Sequence, residues 1–157
     1  MIEEIYTYFT IEMIFMWLNL GVLPFWFVLI VFPQSQICRV FITSIFPIFI
    51  LSLAYGYLLY LFFHEDYDFI RNFELYLGLD AVSNLFADKA FIILFWLHFL
   101  AMNLFCGGWI VKDSQKFGIN KVLLSFPILI TYFIGPIGLT LYWIIRIFYA
   151  KRVNLYD

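Results

Sequence analysis

Residues 90–111 contain no Asp, Glu, Lys or Arg. Wound as an α-helix at 1.5 Å per residue, this run is roughly 33 Å long, enough to cross the hydrocarbon core of a bilayer. Its latter part and the residues beyond read FWLHFLAMNLFCGGWIVKDS over 95–114, which places His98, Asn103 and Cys106 near mid-depth and Gly107-Gly108 directly after. Polar side chains in hydrocarbon cost free energy unless partnered, so they are expected to face protein or water.

At about 100° per residue, with His98 as origin, Met102, Phe105 and Trp109 fall within roughly 40° of it. Cys106 and Asp113 lie near 60–80°, and Asn103 near 140°. The polar groups therefore share one broad arc, expected to face the rest of the protein. Leu97, Leu100, Leu104 and Val111 cover the other side, expected to meet lipid.

Composition supports a membrane setting for the whole chain. Only 13% of the 157 residues are charged, against about a quarter in soluble domains. Hydrophobic residues make up 65% and aromatics 24%, with 21 Phe. Mean hydropathy is +0.96. A formal charge of −2 without a basic patch argues against a nucleic-acid partner. Cys38 and Cys106 fall in or beside different apolar segments, so neither a disulfide framework nor metal-ligand spacing is visible. The acidic start, with Glu3, Glu4 and Glu12, lacks the basic region of a secretory signal, and no lipidation motif is present.

Four apolar segments are expected as spans, at about 13–32, 40–63, 90–111 and 122–145. Tyr6 and Tyr8 before the first suit a membrane interface. Pro24 predicts a kink in the first span, and Asn19 there reads as a helix–helix hydrogen bond or a ligand contact. Pro47 predicts a bend in the second, and Ser52 with Gly56 a site of close helix approach. Between the second and third spans, an acidic connection at about 66–89 carries Phe69, Phe73, Tyr76 and Leu77 at helical spacing. It is too short and polar to cross, so it reads as an interfacial amphipathic segment. His64, among acids at its start, reads as a solvated interfacial residue.

The fourth span holds Pro127 and Gly135-Pro136-Ile137-Gly138, a signal for a broken or bent helix. Thr131, Gly135, Gly138, Tyr142 and Arg146 fall within about 80° on it and make a second polar face. Arg146 reads as snorkelling to the headgroups, the alternative being an inward turn to Asp113. The fold class is thus an all-α integral membrane protein, a four-transmembrane-helix bundle with an interfacial segment between helices two and three. Four crossings put both termini and the acidic connection on one side. Arg71, Lys89, Arg146, Lys151 and Arg152 then balance Arg39, Lys112, Lys116 and Lys121, so the positive-inside rule leaves orientation open.

No phosphate loop, HExxH motif, nucleophile elbow or kinase set is present, and no cofactor is called for. A lone His98 formally suits haem ligation, though such a residue more often serves structure. What remains is an aromatic-rich bundle with a mid-depth polar arc, suited to a long apolar ligand or to helix packing.

LNLGVLPFW at residues 18–26, LFADKA at 85–90, WLHFLAMNLFCGGWIVKDSQ at 96–115 and FIGPIG at 133–138 occur in an order that resembles the plant neoxanthin-synthesis (abscisic-acid-deficient-four) family and its bacterial relatives. The resemblance covers about residues 17–147. It implies a small four-span membrane protein of carotenoid metabolism, an isomerase acting on an epoxy or hydroxy carotenoid, in a bacterial inner membrane. That family commonly has an acid at the position of Asn103 and an arginine at that of Gly108. Epoxide isomerisation needs an acid at the oxygen and a base at a neighbouring C–H. The candidate catalytic residues are therefore His98 as acid/base, Asn103 orienting an oxygen, and Asp113. Candidate ligand contacts are Asn19, Trp96, Met102, Cys106, Trp109, Thr131, Gly135, Tyr142 and Arg146. The expected partners are membrane lipid and a carotenoid or other isoprenoid. The alternative is a non-catalytic binder of carotenoid, retinoid or lipid, or an oligomeric or small subunit of a membrane complex. A carrier comes third, because inverted repeats and buried ion pairs are not apparent.

Overall fold

The computed structural model describes residues 9–151 and 153, all α-helical, 3-10, π-helical or irregular, with no strand among them. Tyr6, Tyr8 and Arg152 lie outside the described residues. Helices α1 (Ile11–Val31), α2 (Phe46–His64) and α4 (Lys89–Lys116) are long and apolar enough to cross a membrane. A π-helical turn, Cys38–Ile42, lies between α1 and α2. The acidic connection forms a 3-10 helix, Phe69–Tyr76, and a short α3 (Leu79–Leu85). Where one bent fourth span is expected, the chain makes two shorter helices, α5 (Lys121–Phe133) and α6 (Gly135–Ala150). Pro47 sits at the start of α2, where its missing N–H is harmless, and does not bend the helix interior.

Contacts group the residues into two compact units. In the unit formed by Met1–Leu20 and Ile50–Phe99, Trp96 Nε1 donates to Asn19 Oδ1 at 3.1 Å, and Asn19 Nδ2 donates to the Phe15 carbonyl. Asn19 is thus committed to joining α1 to α4. Asp68 caps the 3-10 helix through the Ile70 N–H, and Asp88 caps α4 through the Ala90 N–H. Ile70, Phe73, Tyr76, Leu77 and Leu79 stand strongly exposed along the connection. Ser52 and Gly56 are exposed too, and nothing lies within 4 Å of a Cβ built on Gly56, so this pair does not mediate close helix approach.

The other unit, Gly21–Phe49 with Leu100–Asp157, is built around carbonyls that helices leave over. Ile30 and Pro33, at and beyond the end of α1, have carbonyls that accept from Ser125 Oγ and Gln115 Nε2, each at 2.8 Å. Pro136 has no N–H for the carbonyl of Tyr132 four residues back, and the helix breaks at Ile134 (φ −140, ψ 84). Asn103 Nδ2 takes over as donor to that carbonyl, at 3.4 Å. Its Oδ1 lies where a side chain on Gly135 would begin, and a Cβ on Gly138 would strike the backbone of Thr131. Small residues at these two places let α6 fold back against α5. Trp26 lies against Gly107 in the same way, with a built Cβ only 2.8 Å from its ring.

At the far end of α6, Arg146 turns inward. Its Nε lies 2.6 Å from Asp113 Oδ2, and the same oxygen accepts the Tyr142 hydroxyl at 2.7 Å. Arg146 is 1% exposed and Asp113 4%, so the expectation that Arg146 snorkels outward is corrected. An isolated charge at this depth would be far costlier than the pair, and the Phe117 ring, 4.8 Å from the guanidinium, adds a cation–π contact.

Asp113→Asn removes the carboxylate that pairs with a buried guanidinium, and is expected to cost about 3–5 kcal/mol of stability. Tyr142→Phe removes one neutral donor and is expected to cost about 1–2 kcal/mol. Denaturant titration in mild detergent reads both, and equal losses would contradict this ranking. Cys38 is fully buried, and burial pushes its thiol up to about 11. In a Cys106→Ser variant at neutral pH, it is expected to resist maleimide until the protein is denatured.

Candidate functional site

The buried face of α4 differs from the one expected. Leu97, Leu100, Leu104 and Val111 are all buried, together with Asn103, Gly107 and Ile110. His98, Met102 and Phe105 are exposed, Phe105 at 58%. The polar arc is therefore split, with Asn103 and Asp113 inside and His98 outside. A helix with large apolar side chains on every face offers little amphipathic contrast to phase it, and leucines interdigitate in a core as readily as they meet lipid.

The candidate catalytic residues consequently do not converge. His98 makes no hydrogen bond among the described residues. Asn103 is held by the α5–α6 turn, and Asp113 by Tyr142 and Arg146. Thr131 is buried and donates to the Pro127 carbonyl at 2.7 Å, while Gly135 serves the turn. Trp96 and Asn19 bond one another, Met102 is exposed, and Cys106 is half-buried. Trp109 stands edge-on to Tyr142, with ring centroids 5.8 Å apart.

Trp109 also lines a cavity in this unit that carries polar groups. It is a groove of about 400 Å³ between the chain from Ile42 to Ile48 and the stripe Leu104, Phe105, Gly108, Trp109 and Lys112 of α4. These α4 positions repeat at helical spacing along one face. Gly108 leaves the groove open, for a Cβ there would meet only the Ile42 carbonyl and Thr43 Cα, at 3.8 and 3.9 Å. The end of the π-helical turn and the residues that follow it present the opposite wall. Thr43 Oγ1 donates to the Arg39 carbonyl, and Ser44 Oγ donates to the Phe41 carbonyl while accepting the Phe46 N–H. Thr43 thus retains accepting capacity toward the groove. Lys112, exposed at the rim, supplies its one charge.

Such a groove suits an amphiphile with an apolar body and an oxygen at one end, and its size falls in the usual range for ligand sites of about 300–1,000 Å³. Sequence reasoning singled out Trp109 but missed Lys112, Thr43 and Ser44, because these belong to a loop and a helix end that only folding brings together. A second cavity, of about 530 Å³, lies in the other unit among Phe9, Ile14, Trp17, Leu18, Ala54 and Tyr57, with no charged residue lining it. Among the described residues, no three His, Cys, Asp or Glu side chains gather as a metal site would require.

A family model described as ABA DEFICIENT 4-like matches residues 13–142. Among curated proteins, the chain is 23% identical over 129 residues to Protein ABA DEFICIENT 4, chloroplastic, of Arabidopsis thaliana. That match covers 80% of this chain and 57% of the relative, so the chain spans little more than half of that protein's length. No solved structure matches the chain. With more than half of its residues matched by the family model, the chain belongs to the ABA DEFICIENT 4-like family.

Proposed function

We propose that this chain is a multi-pass integral membrane protein that binds the oxygenated ring end of a carotenoid-class isoprenoid in the Ile42–Ile48/α4 groove. The observation that carries the reading is the groove itself, apolar along its length and polar only at Lys112, Thr43 and Ser44. Family membership supports the ligand class, and three apolar helices support the membrane setting. The ammonium of Lys112 donates to a hydroxyl or epoxide oxygen, and Thr43 Oγ1 accepts from a hydroxyl. The polyene runs out along Phe105 and Trp109, both of which suit flat conjugated chains.

Binding is the function this geometry favours. An isomerase reaction on a bound epoxide would need its electrophile in the groove. Lys112 is the ionised donor there, since His98 lies on the exposed face and Asp113 is committed to Arg146. Asn103 and Asp113 then act as structural supports, and His98 stands outside the chemistry.

Expression in a host that makes epoxy- and hydroxy-carotenoids, followed by purification in mild detergent, tests the reading. Polyene absorbance is expected to co-purify with the wild type. Gly108→Leu, which fills the groove, is expected to abolish it. Lys112→Leu is expected to weaken retention by about tenfold, the worth of one charge-assisted hydrogen bond. His98→Ala is expected to retain pigment unchanged. Colourless, well-folded wild-type protein would defeat the proposal. Chromatography of the host's pigments reads turnover separately, and a new isomer that disappears in Lys112→Leu would place the reaction in this groove.

A further inference from the structure

The α5–α6 pair is too short on each arm to cross a bilayer. With 13 and 16 residues, the two helices extend about 20 and 24 Å, against roughly 30 Å of hydrocarbon. Their turn at Ile134 lies level with Asn103 of α4, which bonds the Tyr132 carbonyl and abuts Gly135. Their open ends lie together at the other extreme of the same unit. Ser125 of α5 bonds the Ile30 carbonyl near the end of α1, and Arg146 of α6 meets Asp113 and Phe117 where α4 ends. Irregular backbone at membrane depth is tolerated where protein buries it and supplies its hydrogen bonds, and Asn103 meets that condition at the turn.

Resting on the membrane reading above, we infer that α5 and α6 form a re-entrant hairpin, so that the chain crosses three times and its basic end forms a surface for anionic lipid headgroups of the cytoplasmic leaflet. The hairpin enters and leaves on the side of the loop joining α4 to α5. The residues after α6 therefore emerge there, and not beside the acidic connection. This undoes the near-tie of basic residues that four crossings give. Lys151 joins Arg39, Lys112, Lys116 and Lys121 on one side, Arg146 being buried there against Asp113, and Arg71 and Lys89 are left on the other among Glu65, Asp66, Asp68, Glu74, Asp80 and Asp88. The positive-inside rule places the first side in the cytoplasm, where anionic lipids attract juxtamembrane lysines and arginines.

Single cysteines in a Cys38→Ser, Cys106→Ser background test this, at exposed positions that leave every charge in place: Tyr76→Cys in the connection, Val122→Cys at the start of α5 and Val153→Cys beyond α6. With a membrane-impermeant maleimide on intact bacterial cells, Tyr76→Cys is expected to be labelled. Val122→Cys and Val153→Cys are expected to label only after permeabilisation. Labelling of Tyr76→Cys and Val153→Cys from the same side would overturn the hairpin. Labelling of Val122→Cys and Val153→Cys, but not Tyr76→Cys, in intact cells would overturn the cytoplasmic lipid surface. A green fluorescent protein fused to the C-terminus of the wild-type chain gives an independent reading, bright if that end is inside and dark if it is outside. Release of the chain from membranes by an alkaline wash would instead defeat the membrane reading itself, whichever side the labels report.

Discussion

Asp113 is the group on which the second unit turns. A guanidinium shut away from water must keep a counter-charge, and Asp113 supplies it to Arg146 through the same oxygen that holds the Tyr142 hydroxyl. Arg146 and Tyr142 lie one helical turn apart on α6, so a single carboxylate on α4 sets both the position and the rotation of that helix. Trp109, edge-on to Tyr142, carries this constraint to the wall of the groove. The charged cluster therefore supports the groove without lining it.

The same economy governs the backbone. Three carbonyls that helix ends or a proline leave unpaired, at Ile30, Pro33 and Tyr132, are each met by a side chain from another element. In apolar surroundings such groups have no water to fall back on, so each donor becomes a positional constraint. Asn103 belongs to this set. Its amide meets the carbonyl that Pro136 leaves over, which gives a polar residue at mid-helix a packing role. Gly135 and Gly138 are the other half of the device, because any side chain there would occupy space that Asn103 and Thr131 already fill.

Helix existence was readable from the chain, while helix phase was not. Residues 90–111 are uncharged and carry large apolar side chains on every side, so His98 and Asn103 could be given relative angles but no direction. Assigning them to one arc followed from their shared polarity, yet only Asn103 has a buried carbonyl to serve. The Gly-Pro-Ile-Gly run declared a break, but whether the chain beyond it continues across or folds back depends on contacts with α4. Arg146 posed the same problem. Its sequence position suits a headgroup anchor, and only the meeting of α4 with α6 supplies Asp113.

By itself the sequence determined an all-helical chain with long apolar segments, an acidic connection, a helix break at Gly135-Pro136 and membership of a family marked by four ordered motifs. These follow from local properties, namely uncharged length, proline's missing N–H and residue order. The tertiary structure alone decided which face of α4 is buried, that α5 and α6 fold against one another, and that Lys112, Thr43 and Ser44 share a groove. Each of those depends on partners distant in the chain, and in a protein apolar both inside and out, hydropathy does not distinguish the core from the surface.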